Sequence, residues 1–152
     1  MSLFGVDIAE SCVHIFGPGV SKREALDRLI DTVVANNPTA DGELFRLAVY
    51  QREAIMSTGI GGGVAIPHVR FPGIPKPMLV IGISAEGVDY GSLDNEPVHV
   101  MVLFAMPEGS DKQYLDVLAR VMMSLKRPGF FEALVACGTP AEAVSVLHRP
   151  AA

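Results

Sequence analysis

His68 is the residue with the most unusual surroundings. It follows Ile66-Pro67 at the end of REAIMSTGIGGGVAIPHVR, a stretch running from Arg52 to Arg70 that also holds a Ser-Thr step and glycines at 59, 61, 62 and 63. An imidazole there could ligate a metal, act as a general base, accept a phosphoryl group, or simply sit at the surface. A metal site lacks a second His, Cys or carboxylate at ligand spacing nearby. A Ser-His-Asp hydrolase lacks a Gly-x-Ser-x-Gly elbow to present its nucleophile. The glycines do not form a nucleotide loop, because no Gly-Lys-Ser/Thr follows and prolines at 67 and 72 replace the opening of a helix. They can instead let the backbone approach a ligand or make a turn. Of the other histidines, His99 alternates with apolar residues and reads as a hydrogen-bonded core or sheet-end residue, His148 belongs to the tail, and His14 carries no motif.

The elements that must position His68 are legible around it. Ser21 with Glu24 three residues on is a capping box, and Ala25, Leu26, Leu29, Ile30, Val33 and Val34 have helical spacing, predicting a helix to about Ala35. Asn36-Asn37-Pro38 stops it. Asp41 caps a second helix through LFRLAVYQREAIM that ends near a turn at Ser57-Thr58-Gly59. VAIPHV then reads as a short extended segment, since a residue preceding proline is pushed toward β geometry. PMLVIGIS and VHVMVLFAM read as strands buried on both faces, with a turn-rich connection and a short edge strand at Val88–Tyr90 between them. Ser110 or Asp111 caps a helix whose stripe is Leu115, Leu118, Met122 and Leu125. GFFEALVAC and TPAEAVSVLH give two shorter helices, the latter with Thr139 as N-cap and Pro140 first. With a weak first strand near CVHIF, the order is β-α-α-β-β-β-α-α-α. Helices must cover both faces of so apolar a sheet, so the expected fold is a three-layer α/β/α sandwich.

Composition narrows the class. The 152 residues suit a single domain spanning 1–152, with 49% apolar and 19% charged residues. A formal charge of −5 opposes general nucleic-acid binding. The longest apolar runs are strand-sized, so no membrane insertion is expected. Asp7 and Glu10 stand where a signal peptide would carry basic residues. Cys12 and Cys137 lie far apart and form no CxxC pair, reading as inert buried thiols. A soluble cytoplasmic protein is the expectation.

Arg52-Glu53, Ser57-Thr58-Gly59-Ile60-Gly61 and Ala65-Ile66-Pro67-His68 together resemble the signature of the fructose/mannitol-type enzyme IIA domain of the bacterial phosphotransferase system, including its nitrogen-regulatory relatives. Ser21-Lys22 before Ala25-Leu26, the Val88-Asp89-Tyr90 step, the strand Val98 to Met106 and the helix Leu115 to Leu125 also sit where that family has counterparts. The resemblance covers roughly residues 10–148. It implies a mixed sheet between helical layers and a phosphotransferase component, working without metal or cofactor, with His68 as phosphoryl acceptor. The donor would be an HPr-like phosphocarrier protein, and the recipient a sugar-transporter enzyme IIB domain or a regulatory target.

The chemistry is consistent with this. Neutral imidazole is a good nucleophile near neutral pH, and phosphoryl transfer mainly asks the protein to position groups and stabilise charge. Arg52 could supply that charge, and the Ser57 and Thr58 hydroxyls and glycine amides could meet the phosphoryl oxygens. A surface ion pair for Arg52, and a plain helix-end turn for Ser57 and Thr58, are the structural alternatives. One departure stands out. The family usually has a second histidine in the first turn of the helix after the long strand, and here Tyr114 occupies that place. It can donate a hydrogen bond but cannot become a cation. The alternative function is therefore a non-catalytic interaction module that keeps the fold without efficient phosphotransfer.

Overall fold

The two apolar runs that read as buried strands form the centre of the molecule. In the computed structural model, which describes residues 2–149, β5 (Met78–Val88) and β6 (Val98–Met106) pair antiparallel, Ile81 opposite Val102. Period-two alternation sends Leu79, Ile81 and Ile83 with Val100, Val102 and Phe104 to one face of the sheet. Val80 with Met101, Leu103 and Ala105 go to the other. Each face needs its own cover, and each has one. On one side lie α1 (Lys22–Asn36) and α2 (Gly42–Ile55), which bury Leu26, Leu29, Ile30, Phe45 and Val49. On the other lie α3 (Asp111–Leu125), α4 (Phe130–Val135) and α5 (Pro140–Leu147), contributing Val117, Val121, Phe130, Leu134 and Leu147. The three-layer α/β/α sandwich is thus the observed architecture. The ends of the 1–152 span, residue 1 and residues 150–152, lie outside the described residues.

β1 (Val13–Phe16) runs parallel to β5 and forms one edge. The other side of β6 is lined by two short strands in succession, β3 (Val64–Ala65) and β4 (His68–Arg70), both parallel to it; β2 (Gly59–Gly61) pairs antiparallel with β3 beyond. The sheet is therefore mixed. Ile66-Pro67 separates β3 from β4 because proline has no N–H for the ladder. Its carbonyl still accepts from Phe104 N–H at 2.9 Å, which keeps His68 in register opposite Phe104.

The capping residues act as their types require. Ser21 Oγ accepts from Glu24 N–H at 3.1 Å, Asp41 Oδ1 from Leu44 N–H at 3.1 Å, and Thr139 Oγ1 from Glu142 N–H at 3.2 Å. Ser110 holds the N-cap position of α3, but its hydroxyl donates to the Pro107 carbonyl instead of capping.

Several expectations need correction. Gly59–Gly61 is a strand, not the end of a turn. Tyr90 belongs to no edge strand; β5 itself reaches Val88, which pairs with Val98 across an irregularity. The buried positions of α3 are Val117, Val121 and Ser124, with Tyr114, Leu118 and Leu125 half-buried beside them, so the apolar stripe is rotated from the expected one and Leu115 points outward. Cys137 is buried, whereas Cys12 is only partly so. No helix among the described residues is long and apolar enough to cross a membrane.

Candidate functional site

His68 opens β4 at the edge of the sheet, half-buried, and is held from two sides. Its Nδ1 lies 3.2 Å from the Ile66 carbonyl oxygen. A carbonyl can only accept, so Nδ1 carries the proton and Nε2 carries the lone pair. Its ring stacks on Tyr114, centroids 5.0 Å apart and planes at 29°, and Tyr114 in turn packs edge-on against Phe104 at 5.7 Å. Burial lowers the proton affinity of His68 below the ordinary 6.5, the Ile66 carbonyl opposes this, and Arg52 and Arg70 push it further down. The surroundings thus favour the neutral form of the imidazole.

Arg52, in the last turn of α2, donates from Nη1 to the Met56 carbonyl at 2.9 Å and has no ion pair among the described residues. Its neighbour Glu53 is the residue that finds a cation. Glu53 is buried, accepting from Lys22 Nζ at 2.8 Å, from Thr58 N–H at 3.0 Å and from Thr58 Oγ1 at 2.5 Å. Tyr90 closes the cluster, its hydroxyl 2.8 Å from Thr58 Oγ1 and its ring under Lys22 Nζ at 4.3 Å. The structure thereby redirects two expectations. The Thr58 hydroxyl is buried and occupied by Glu53 and Tyr90, because a buried carboxylate must be satisfied by donors. Two of the glycine amides are also occupied: Gly59 N–H donates to Ser57 Oγ at 3.1 Å and Gly62 N–H to Asp94 Oδ2 at 3.1 Å.

The glycines serve the backbone instead. Gly61, Gly62 and Gly63 all have positive φ (98°, 66° and 81°), making the tight turn between β2 and β3. A Cβ on Gly59 would lie 2.3 Å from Ser92 Oγ, so only glycine lets the loop after β5 close over β2. Ser57 remains half-buried. Its oxygen is used by Gly59 N–H, which leaves its own proton to donate. Thr58 carbonyl accepts from Ile66 N–H at 2.9 Å, tying the Ser-Thr step to the strand that leads into His68.

Burial alone would raise the carboxyl of Glu53, but Lys22 and both Thr58 donors outweigh it and hold it below its ordinary 4.5. A carboxyl lowered on folding contributes stability above the unfolded value and loses it as pH falls through the folded one. Glu53→Gln should therefore cost about 2 kcal/mol near pH 7, a melting-temperature loss of roughly 4–8 °C. The gap from wild type should narrow as pH drops below 4.5 toward the lower folded-state value. Thermal scans across pH 3.5–7 check this (window set by the reference carboxyl range, about 4); a gap constant with pH would mean that the charge is not what holds the cluster.

Sequence reading missed Arg70, Glu53 in its structural role, and the pairing of Lys22 with Tyr90. Arg70 is legible in principle, since residues two apart in a strand face the same way and Arg70 lies two beyond His68.

The profile of the family described as "Phosphoenolpyruvate-dependent sugar phosphotransferase system, EIIA 2" matches residues 8–149. The chain belongs to this family. Among relatives, it is 29% identical over 128 residues to the PTS system fructose-specific EIIABC component of Bacillus subtilis, a match covering 84% of this chain and only 20% of that longer one. It is 31% identical over 110 residues to the nitrogen regulatory protein of Pseudomonas aeruginosa, covering 72% of this chain and 71% of the relative. Among solved structures, the nitrogen regulatory protein IIA-Ntr of Neisseria meningitidis superposes with a TM-score of 0.80 at 24% identity, covering 91% of this chain and 94% of that one. The mannitol IIA of Escherichia coli, solved in complex with phosphorylated enzyme IIB, superposes at 0.75 with 18% identity over 93% of this EIIA chain and 96% of that one.

Proposed function

We propose that this EIIA-family chain accepts a phosphoryl group on His68 from an HPr-like phosphocarrier protein in the cytoplasm. It then passes the group to an enzyme IIB-type domain or holds it as a regulatory mark. The observation that carries the reading is the neutral imidazole of His68, pinned through Nδ1 by the Ile66 carbonyl with Nε2 left to react. Nε2 attacks phosphorus, the new N–P bond forms as the donor's N–P bond breaks, and the positive charge developing on the ring is shared with the Ile66 carbonyl. Arg52, without a carboxylate partner among the described residues, and the Ser57 hydroxyl balance the charge on the phosphoryl oxygens. Thr58 acts through position, as the link between Glu53 and the strand before His68.

A macromolecular donor fits the surface. Ile55 and Met56 at the end of α2, Ile60 on β2, Leu93 hydrogen-bonded to Gly59, and Leu115 next to Tyr114 are all exposed apolar side chains beside site residues. Such a rim suits a protein partner better than a small sugar. The test is incubation with phosphoenolpyruvate, enzyme I and the cognate carrier, followed by mass spectrometry. One acid-labile phosphate on His68 is expected; a chain that takes up none is the interaction module instead.

Tyr114 tunes this site. Its hydroxyl has no hydrogen bond among the described residues, so its proton is available to a phosphoryl oxygen, and burial makes that proton harder to lose while Arg52 and Arg70 partly offset the effect. Tyr114→Phe should slow single-turnover transfer about threefold by removing one neutral donor. Tyr114→His should speed it and make it pH-dependent between about 6 and 8, because a charge-assisted donor is about twice as strong. Identical rates for all three proteins would reduce Tyr114 to a packing role.

A further inference from the structure

Two rungs join β4 to the first turn of α3. Residues two apart in a strand project to the same side, so His68 and Arg70 leave β4 together. Residues three apart in a helix share a face, so Asp111 and Tyr114 do likewise. The His68–Tyr114 stack is one rung, and the ion pair from Arg70 Nη1 to Asp111 Oδ1 is the other. The second rung is exposed, with side-chain accessibilities of 51% for Arg70 and 72% for Asp111. An ion pair so open to water holds its partners weakly. The charge of Arg70 nevertheless reaches the first rung, where it helps to disfavour the protonated form of His68.

We propose that Arg70 is a second phosphoryl-binding cation, held by Asp111 until His68 carries the group and then transferred from the carboxylate to the phosphoryl oxygens. The proposal rests on His68 being the acceptor. A phosphoryl group offers close to two negative charges and three acceptor oxygens, against one charge on Asp111. The flat guanidinium fork fits two of those oxygens at once. Asp111 is not stranded by the exchange, because it is solvated and stands at the first residue of α3, where the helix dipole favours an anion. Only hydrogen bonds change hands beyond the transfer itself. The first turn of α3, bearing Tyr114 and the exposed Leu115, then loses the ion-pair rung of its two ties to β4 in the phosphorylated chain alone. A partner resting on that turn would meet a different surface in the two states.

Potassium phosphoramidate, a small phosphoryl donor, separates this from any effect on carrier docking. Wild type, Arg70→Gln and Asp111→Asn are labelled with it and phosphohistidine is followed by phosphorus NMR. Arg70→Gln should label about tenfold more slowly than wild type, as expected for one lost charge-assisted contact. Asp111→Asn should label at least as fast as wild type, since the competing carboxylate is gone. The amide resonances of residues 111–115 in unphosphorylated Asp111→Asn should move in the direction that phosphorylation moves them in wild type. Arg70→Gln labelling at the wild-type rate overturns the proposal. So does Asp111→Asn slowing in step with Arg70→Gln, which would make the ion pair a structural prop. Wild type that takes no phosphate on His68 removes the acceptor reading and this proposal with it, so the two failures are told apart.

Discussion

His68→Ala should take up no acid-labile phosphate from the phosphorylated carrier, while melting within a few degrees of wild type. The loss is complete because no neighbour can substitute for the imidazole. Ser57 and Tyr114 would form phosphate esters, which survive acid, and burial raises the Tyr114 proton affinity further from that of a working nucleophile. The fold tolerates the change because His68 is only half-buried, at the edge of the sheet, and its side chain makes a single hydrogen bond among the described residues, to the Ile66 carbonyl. Removing it costs about 1 kcal/mol, ordinary for a partly exposed site. The same geometry sets the pH profile of the wild type. Burial lowers the proton affinity of His68 from the ordinary 6.5, so the acid limb of the transfer rate should lie under that pH. Acid-labile label retained by His68→Ala would move the acceptor elsewhere.

Arg52→Gln should slow phosphoryl transfer about a hundredfold, the usual effect of removing one preorganised donor to developing negative charge. Its melting temperature should stay close to that of wild type. Arg52 makes one hydrogen bond, to the Met56 carbonyl, and no ion pair among the described residues, so less than about 1 kcal/mol of stability is at stake. Glu53 next to it behaves in the opposite way, since its carboxylate is fully engaged with Lys22 and Thr58. Single-turnover rates and thermal melts of both variants therefore form a crossed pair. A large stability loss with normal transfer in Arg52→Gln would make that residue structural.

Much of this was written plainly in the chain. Helix starts were legible because Ser21, Asp41 and Thr139 each accept a backbone N–H at the position that their side chains favour. The central strands were legible because β6 is apolar at nearly every position, which a strand covered on both sides requires. The neighbourhood of His68 and Tyr114 was implied by the family resemblance, and the two rings do stack. What stayed hidden depends on partners distant in sequence. The inward turn of Thr58 depends on Lys22 and Tyr90, contributed by α1 and by the loop after β5. β2 has two glycines among its three residues, and so no propensity to betray it. The outward turn of Leu115 reflects where α3 lies against the sheet, and helical spacing alone accommodates either rotation.

The parallel run of β3 and β4 along β6 also divides this segment by its tolerance of length change. Gly62 sits in open space with positive φ, at the tip of a turn whose ends are already fixed by the pairing of β2 with β3. Residues could be gained or lost there in related chains without moving anything downstream. From Val64 to Arg70 the opposite holds. Each paired residue there has an assigned partner on β6, and the core-facing Val69 stands between His68 and Arg70. One residue inserted or deleted between Ala65 and His68 would exchange the two faces of β4, sending the imidazole into the layer beneath α2 and a valine out toward Tyr114. Insertions among descendants of this sequence should therefore collect at the glycines, and the spacing from Val64 to His68 should stay constant for as long as the histidine is used.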